Sequence, residues 1–174
     1  MKTYTIVAGV NGCGKSTLGQ ALAKQIGFHF IDNENLYFSR TTQDAPYAHC
    51  CSRAEAEQLL LQEINRHENF VFAAVRGDYG SQAPGFYTYV VLLEVPKATR
   101  AQRIRTRSFE KFGSRMLPGG ELHDSEEAFF SICDSREETY ATNWLQNISC
   151  PVIRLDGTRP VEENIARLRQ LMQL

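Results

Sequence analysis

Residues 9–17 read GVNGCGKST, which sets Gly9, Gly14, Lys15 and Ser16 in the spacing G-x-x-x-x-G-K-[ST]. That combination suits the binding of polyphosphate. Glycines let consecutive main-chain N–H groups bend toward one point, a helix opening behind them adds its positive end, and a lysine reaches the terminal phosphates. A hydroxyl directly after the lysine is a magnesium ligand. The candidates for nucleotide contact are therefore Gly9, Asn11, Gly12, Cys13, Gly14, Lys15, Ser16 and Thr17, with Lys15 also the expected stabiliser of a moving phosphoryl group. Cys13 stands where a small residue is usual, which predicts a loop sensitive to oxidation.

What is done with a bound phosphate depends on residues further along. The chain has no N/T-K-x-D and no D-x-x-G tetrapeptide, so the base reader and switch of a GTPase are excluded. Glu94 closes the run VVLLE, and an acid at a strand's end can order magnesium and a hydrolytic water. Asp32 and Glu34 follow FHFI, where a carboxylate can hold magnesium or orient and deprotonate an acceptor hydroxyl; capping a helix or a loop is the structural alternative for both. Between Lys97 and Arg115 stand seven basic residues against one acid, Glu110, a net of +6 in a chain whose formal charge is −1. Bounded by Gly113 and by Pro118, Gly119 and Gly120, this segment predicts a lid that carries an arginine over a triphosphate, with a solvated helix face as the alternative. Arg136 falls in an apolar helical stripe of Phe129, Ile132, Cys133, Tyr140 and Trp144. It either pairs with an internal acid such as Asp32 or Glu34 or receives an anionic ligand.

Such residues need a scaffold that gathers strand ends, and the hydrophobic pattern supplies one. Short apolar runs at 3–8, 28–31, 70–75, 89–95 and 152–155 alternate with stretches of helical period, which predicts βα units round a mostly parallel sheet covered on both faces. Ligands of such sheets sit at the carboxyl ends of the strands, where Asp32 emerges. The first helix turns Leu18, Ala21, Leu22 and Ile26 inward and stops at Gly27. A second covers 53–66 with Ala56, Leu59, Leu60 and Ile64 inward, a third follows Pro96, and a fourth covers 125–148. The last runs from Pro160 to the end, with Glu162 and Glu163 in its first turn.

Composition narrows the function classes. At 174 residues with 43% apolar content, the chain is expected to form one domain, 1–174, around a core of ordinary size. A net charge of −1 does not favour nucleic acid or an acidic membrane surface. No run reaches the roughly 18 apolar residues of a membrane span, and MKTYTIVAGV turns to glycine before a secretory core develops. Cys13, Cys50, Cys51, Cys133 and Cys150 are odd in number and lack framework spacing, which predicts free thiols and a cytoplasmic location. Cys50 and Cys51 beside His49 lack the second pair that would complete a zinc site.

The order of strand, GVNGCGKS, helix, FID-N-E, lid and R-x-x-x-Y resembles the small P-loop kinases, nearest to the shikimate-kinase-like and gluconate-kinase-like group. The resemblance covers essentially the whole chain, with the phosphate loop its specific part. It implies an α/β, three-layer P-loop NTPase fold with a five-stranded parallel sheet in the order 2-3-1-4-5, a lid at about 105–124 and an acceptor-binding helical region at about 33–68. In shikimate kinases a D-x-D pair after strand two meets magnesium and the acceptor hydroxyls; Asp32 matches the first acid and Glu34 is a longer substitute for the second. The arginine of R-x-x-x-Y grips the acceptor carboxylate there, which maps to Arg136 with Tyr140. The lid arginine corresponds to Arg115, with Arg107 the other candidate, and the adenine-binding loop after the last strand corresponds to Asp156, Gly157 and Thr158. Where shikimate kinases carry a triple glycine after strand three, this chain reads AAVRGDYGSQ, which separates Gly77 from Gly80 and adds Arg76 and Asp78. Arg76 there either serves an anionic acceptor other than shikimate or pairs with Asp78.

These readings converge on an ATP- and Mg2+-dependent phosphotransferase that moves the γ-phosphate to a hydroxyl or phosphate of a small anionic metabolite. Its expected partners are ATP and that acceptor, with no nucleic acid and no membrane, in a monomer or homodimer. The alternative is a nucleotide-binding switch or slow ATPase that regulates a protein partner, with Glu94 as its hydrolytic acid.

Overall fold

The computed structural model describes residues 3–37 and 51–173. Strand β1 (Thr3–Ala8) leads through the glycine-rich loop into α1 (Lys15–Ile26), and β2 (His29–Asp32) runs straight into the short α2 (Asn33–Tyr37). Helix α3 (Arg53–Arg66) precedes β3 (Asn69–Ala74), and β4 (Tyr89–Glu94) precedes α4 (Lys97–Phe112). Helices α5 (His123–Ser135) and α6 (Glu138–Thr142) then lead to β5 (Val152–Asp156) and α7 (Val161–Met172).

All strand pairs are parallel, and the sheet order is β2-β3-β1-β4-β5. In register, Thr3 lies opposite Asn69, Thr5 opposite Tyr89, His29 opposite Phe70 and Val90 opposite Val152. Parallel strands share one direction, so Ala8, Asp32, Ala74, Glu94 and Asp156 end along the same edge. This is the edge where the chain turns into its glycine-rich loop.

Alternate residues of the central strands feed different cores. Tyr4, Ile6 and Ala8 pack with Leu60, Ile64 and Trp144, while Val7 packs with Leu22, Leu155 and Leu168. Coverage on both faces explains why the strands read as continuous apolar runs. A third, smaller core of Ile104, Met116, Phe130 and Cys133 joins α4 to α5. Helix α3 begins with a reciprocal cap, the Ser52 hydroxyl accepting from the Glu55 N–H at 3.3 Å and the Glu55 carboxylate from the Ser52 N–H at 2.8 Å. That cap fixes Arg53 at the first helical position.

The expected strands and helices are present, with ends differing by a residue or two, except in one place. The helix expected over 125–148 is three pieces: α5, α6 and a 3₁₀ turn at Asn143–Asn147. Arg136 (φ −77°, ψ 106°) and Glu137 (φ −69°, ψ 159°) are both extended. Neither glycine nor proline marks this break, so helical period reads through it. Tertiary structure makes it: Ser135 closes α5 with its hydroxyl on the Ile132 carbonyl, and the Arg136 side chain leaves the helix for the glycine-rich loop. The expected stripe dissolves with it, since Cys133 and Trp144 are buried while Ile132 is 53% and Tyr140 39% exposed. No helix among the described residues is long and apolar enough to cross a membrane.

Candidate active site

The loop at 9–17 is shaped by its own backbone and by strand ends. Gly9 N–H donates to the Val75 carbonyl at 3.4 Å, and Cys13 N–H donates back to Val10 at 3.4 Å. Gly12 has φ +81°, and a Cβ there would lie 2.7 Å from the Arg100 carbonyl oxygen, so glycine is required for conformation and for space. Gly14 has φ +94° with nothing near a Cβ, so it is required for conformation alone. Lys15 Nζ donates to the Val10 carbonyl at 3.3 Å, which folds the ammonium over the loop. Ser16 and Thr17 are exposed on the first turn of α1. Cys13 is 1% exposed, packed with Leu18, Leu93 and Val95. The expected sensitivity to oxidation is therefore corrected, because the thiol faces the core and not solvent.

Asp32 ends β2 on the same edge of the sheet as this loop, with β3 between β2 and β1. Its Oδ1 accepts the Glu34 N–H at 2.9 Å, which starts α2, and Glu34 itself is exposed. Tyr79 donates its hydroxyl to the Asn33 carboxamide oxygen, and burial raises the Tyr79 pKa, so the phenol remains a donor. A residue after β3 thus props the turn that carries Asp32. The sequence offered no signal for that prop.

Three arginines and a tyrosine gather on the same side. Arg136 Nη1 donates to the Asn11 side-chain oxygen at 2.5 Å, and its guanidinium lies 4.9 Å from the centre of the Tyr140 ring. Among the described residues Arg136 makes no ion pair, so of its two alternatives the internal pair with Asp32 or Glu34 is not formed, and its fork turns to the phosphate loop. Arg76 binds Asp78 through two hydrogen bonds, of 2.9 and 2.6 Å, and lies 5.2 Å from the same Tyr140 ring. That bidentate pair raises the Arg76 pKa further. Arg53 completes the cluster, donating to the Asp78 carbonyl at 2.7 Å.

The basic segment is deployed differently from a free cationic lid. Arg100 is 3% exposed and donates to the Val95 carbonyl at 3.1 Å, directly behind Gly12. Arg103 donates to the Gly157 carbonyl at 3.1 Å, and Arg105 binds Glu127 at 3.0 Å while covering the Phe130 ring. Arg115 is held at 2.5 Å by Glu121, both exposed, and the pairing lowers the Glu121 pKa. Arg107 is exposed on α4. Burial raises the Cys133 pKa against the opposing pull of Arg136, Arg107 and Lys15. Arg136 just after α5, Arg107 of α4 and Lys15 of α1 all lie within electrostatic reach of this one thiol.

The turn after β5 closes the other side. Asp156 Oδ1 accepts the Thr158 N–H at 2.8 Å and its hydroxyl at 2.6 Å, bonds that lower the Asp156 pKa. A Cβ on Gly157 would lie 2.9 Å from the Cys13 carbonyl, so this turn touches the phosphate loop directly. Asn164 of α7 donates to the Asp156 carbonyl at 2.9 Å. Glu94 is engaged outside the cluster, its carboxylate accepting from Arg154 on the neighbouring strand at 2.5 Å.

Known proteins share this organisation. A family model described as AAA domain, AAA_18, matches residues 6–127. The chain is 26% identical over 177 residues to the uncharacterized protein YqaC of Bacillus subtilis, covering 97% of this chain and 96% of the relative. It is 24% identical to an adenylate kinase isoenzyme 6 homolog of Caenorhabditis elegans, covering 95% and 87%. Among solved structures, a deoxyadenosine kinase from M. mycoides with bound dATP superposes with a TM-score of 0.61 at 17% identity, covering 100% of both chains. A shikimate kinase from Bacteroides thetaiotaomicron gives 0.54 at 19%, again over 100% of both chains. A gluconokinase from Sinorhizobium meliloti gives 0.53 at 18%, over 99% and 96%. At these identities the likeness to solved structures is one of fold.

Proposed function

The chain belongs to the AAA domain family AAA_18, and from that premise we propose that it is an ATP- and magnesium-dependent kinase of a small anionic metabolite. The observation that carries this reading is a glycine-rich loop that opens α1 at Lys15, with the Arg136 guanidinium donating to Asn11 of that loop and Asp32 ending β2 along the same edge of the sheet. Phosphoryl transfer asks a protein chiefly for positioning and for neutralisation of spreading negative charge. The loop amides and Lys15 supply that neutralisation at the transferred group. Arg107 is the better placed lid arginine, because Arg115 is occupied by Glu121 at the exposed tip. Asp156, Gly157 and Thr158 form the wall against which the nucleotide base rests.

Ser16 and Asp32 offer hard oxygen donors, the chemistry magnesium selects, and Asp32 Oδ2 has no partner among the described residues. When bound there, magnesium supplies countercharge for the phosphates. Asp32 or the exposed Glu34 orients the acceptor hydroxyl and takes its proton. Arg136 grips an anionic group of the acceptor, since a guanidinium has five N–H donors and Asn11 uses only one. Arg76 contributes through Tyr140, its own fork being filled by Asp78. Glu94 is held by Arg154, which speaks against a hydrolytic switch.

The test is a panel of metabolite, nucleoside and nucleotide acceptors with magnesium-ATP, following acceptor-dependent ADP release and the phosphorylated product by phosphorus NMR. A product with hydrolysis stimulated by its acceptor is expected. No product across the panel, together with hydrolysis raised by a protein partner, overturns the kinase reading in favour of the switch.

A further inference from the structure

At the end of the sheet opposite the phosphate loop, His29 opens β2, while Glu63 and His67 stand one helical turn apart at the close of α3. Glu63 Oε2 lies 3.2 Å from His29 Nε2 and 3.4 Å from His67 Nε2, and all three ligand atoms fall within 4.8 Å of one another. In a four-coordinate zinc site with bonds of about 2.0–2.1 Å, ligand atoms stand about 3.3–3.4 Å apart. Both carboxylate-to-imidazole edges match that spacing. Arg66 donates to the other carboxylate oxygen, Oε1, at 3.1 Å, and so orients Oε2 toward the histidines. The two imidazoles lie face to face, with centroids 3.6 Å apart and planes 10° from parallel. Hydrogen bonding alone would require both rings to carry their proton on Nε2 and share one oxygen, whereas a cation among them engages three lone pairs at once.

We propose that His29, Glu63 and His67 form a surface site for a divalent transition cation of the zinc class, which clips edge strand β2 to the end of α3. Both rings are accessible, with side chains 40% and 33% exposed, so they can tilt out of their stack to turn both Nε2 lone pairs on the ion. Water completes the shell. The ligands are two imidazoles and one carboxylate, which favour zinc, cobalt or nickel over the magnesium used at the phosphate loop.

The experiment titrates ZnCl2 into metal-free full-length protein without nucleotide, by calorimetry and by melting temperature, and repeats it with His29→Asn, His67→Asn and Glu63→Gln. The expected result is one ion per chain at micromolar affinity. At a hundredfold excess over Kd it should raise Tm by about 5–10 °C. Each variant should weaken binding by about tenfold or more, because losing a ligand costs at least as much as losing an outer-shell partner. Cobalt(II) provides a readout that does not depend on the variants folding: d–d bands without a thiolate charge-transfer band are expected. Zinc binding unchanged in the variants, a thiolate band, or no binding by the wild type overturns the proposal. None of these outcomes touches the kinase reading, whose residues lie at the other end of the strands.

Discussion

Within residues 9–17 the shape comes from backbone conformation and from carbonyls at strand and helix ends, whereas the cluster around Tyr140 draws Arg53, Arg76, Asp78 and Arg136 from three separate segments. Among the described residues, the hydrogen bond from Arg136 to Asn11 joins the two regions. A site made of main chain tolerates change in most of its side chains but not in its glycines. One made of side chains can be rebuilt for a new ligand by exchanging one or two of them, leaving its neighbour intact. In the proposed kinase, the loop would fix the chemistry and the Tyr140 cluster would select what receives the phosphate.

Substitutions can break or sharpen that contrast. The largest effect is expected from Lys15→Ala, which removes the ammonium that the proposed mechanism sets on the phosphates. Its kcat/KM should fall by about 10²- to 10³-fold, with an unchanged circular-dichroism spectrum and melting curve. Wild-type turnover would remove the loop from the mechanism. Gly12→Ala should be costly in a different way, destabilising the fold by about 2–4 kcal/mol through left-handed strain plus the approach to the Arg100 carbonyl. Gly14→Ala, strained but unobstructed, should cost only about 1–2 kcal/mol. Urea midpoints of the pair measure the difference, and equal values would mean that the close approach contributes nothing.

Arg136→Ala tests the boundary between the regions. The acceptor KM should rise about tenfold, the worth of one charged hydrogen bond, while the ATP KM changes less than about threefold and the melting temperature holds. Equal rises in both constants would assign Arg136 to the phosphate loop. The smallest effect is expected from Glu94→Gln: a partly exposed surface pair with Arg154 is worth at most about 1 kcal/mol, and ATP turnover should be unaffected. A hundredfold drop in hydrolysis would instead revive the switch.

Legibility in the sequence follows the same divide. The five strands and the end of α1 at Gly27 could be read because they rest on local period and on glycine, which act over a few residues, whereas the sheet order came only with the resemblance to the small P-loop kinases. The loop was legible because its chemistry is contiguous. The break at Arg136 was not, since no residue there opposes a helix and the cause lies 125 positions away at Asn11. The basic segment misled for a related reason. Composition counts charges but cannot see that Arg100 is buried behind Gly12 or that Arg103 holds Gly157. The His29, Glu63 and His67 group also escaped notice, because only the fold brings position 29 to the end of a helix thirty-odd residues later.

The hydrogen bond from Asn164 to Asp156 has a consequence for anyone who screens this gene for loss of function. Asn164 is 4% exposed on a helix that carries none of the chemistry, yet it steadies the turn whose glycine abuts Cys13. Alleles that loosen the turn beside the glycine-rich loop should therefore surface near the carboxyl terminus as well as within the loop itself.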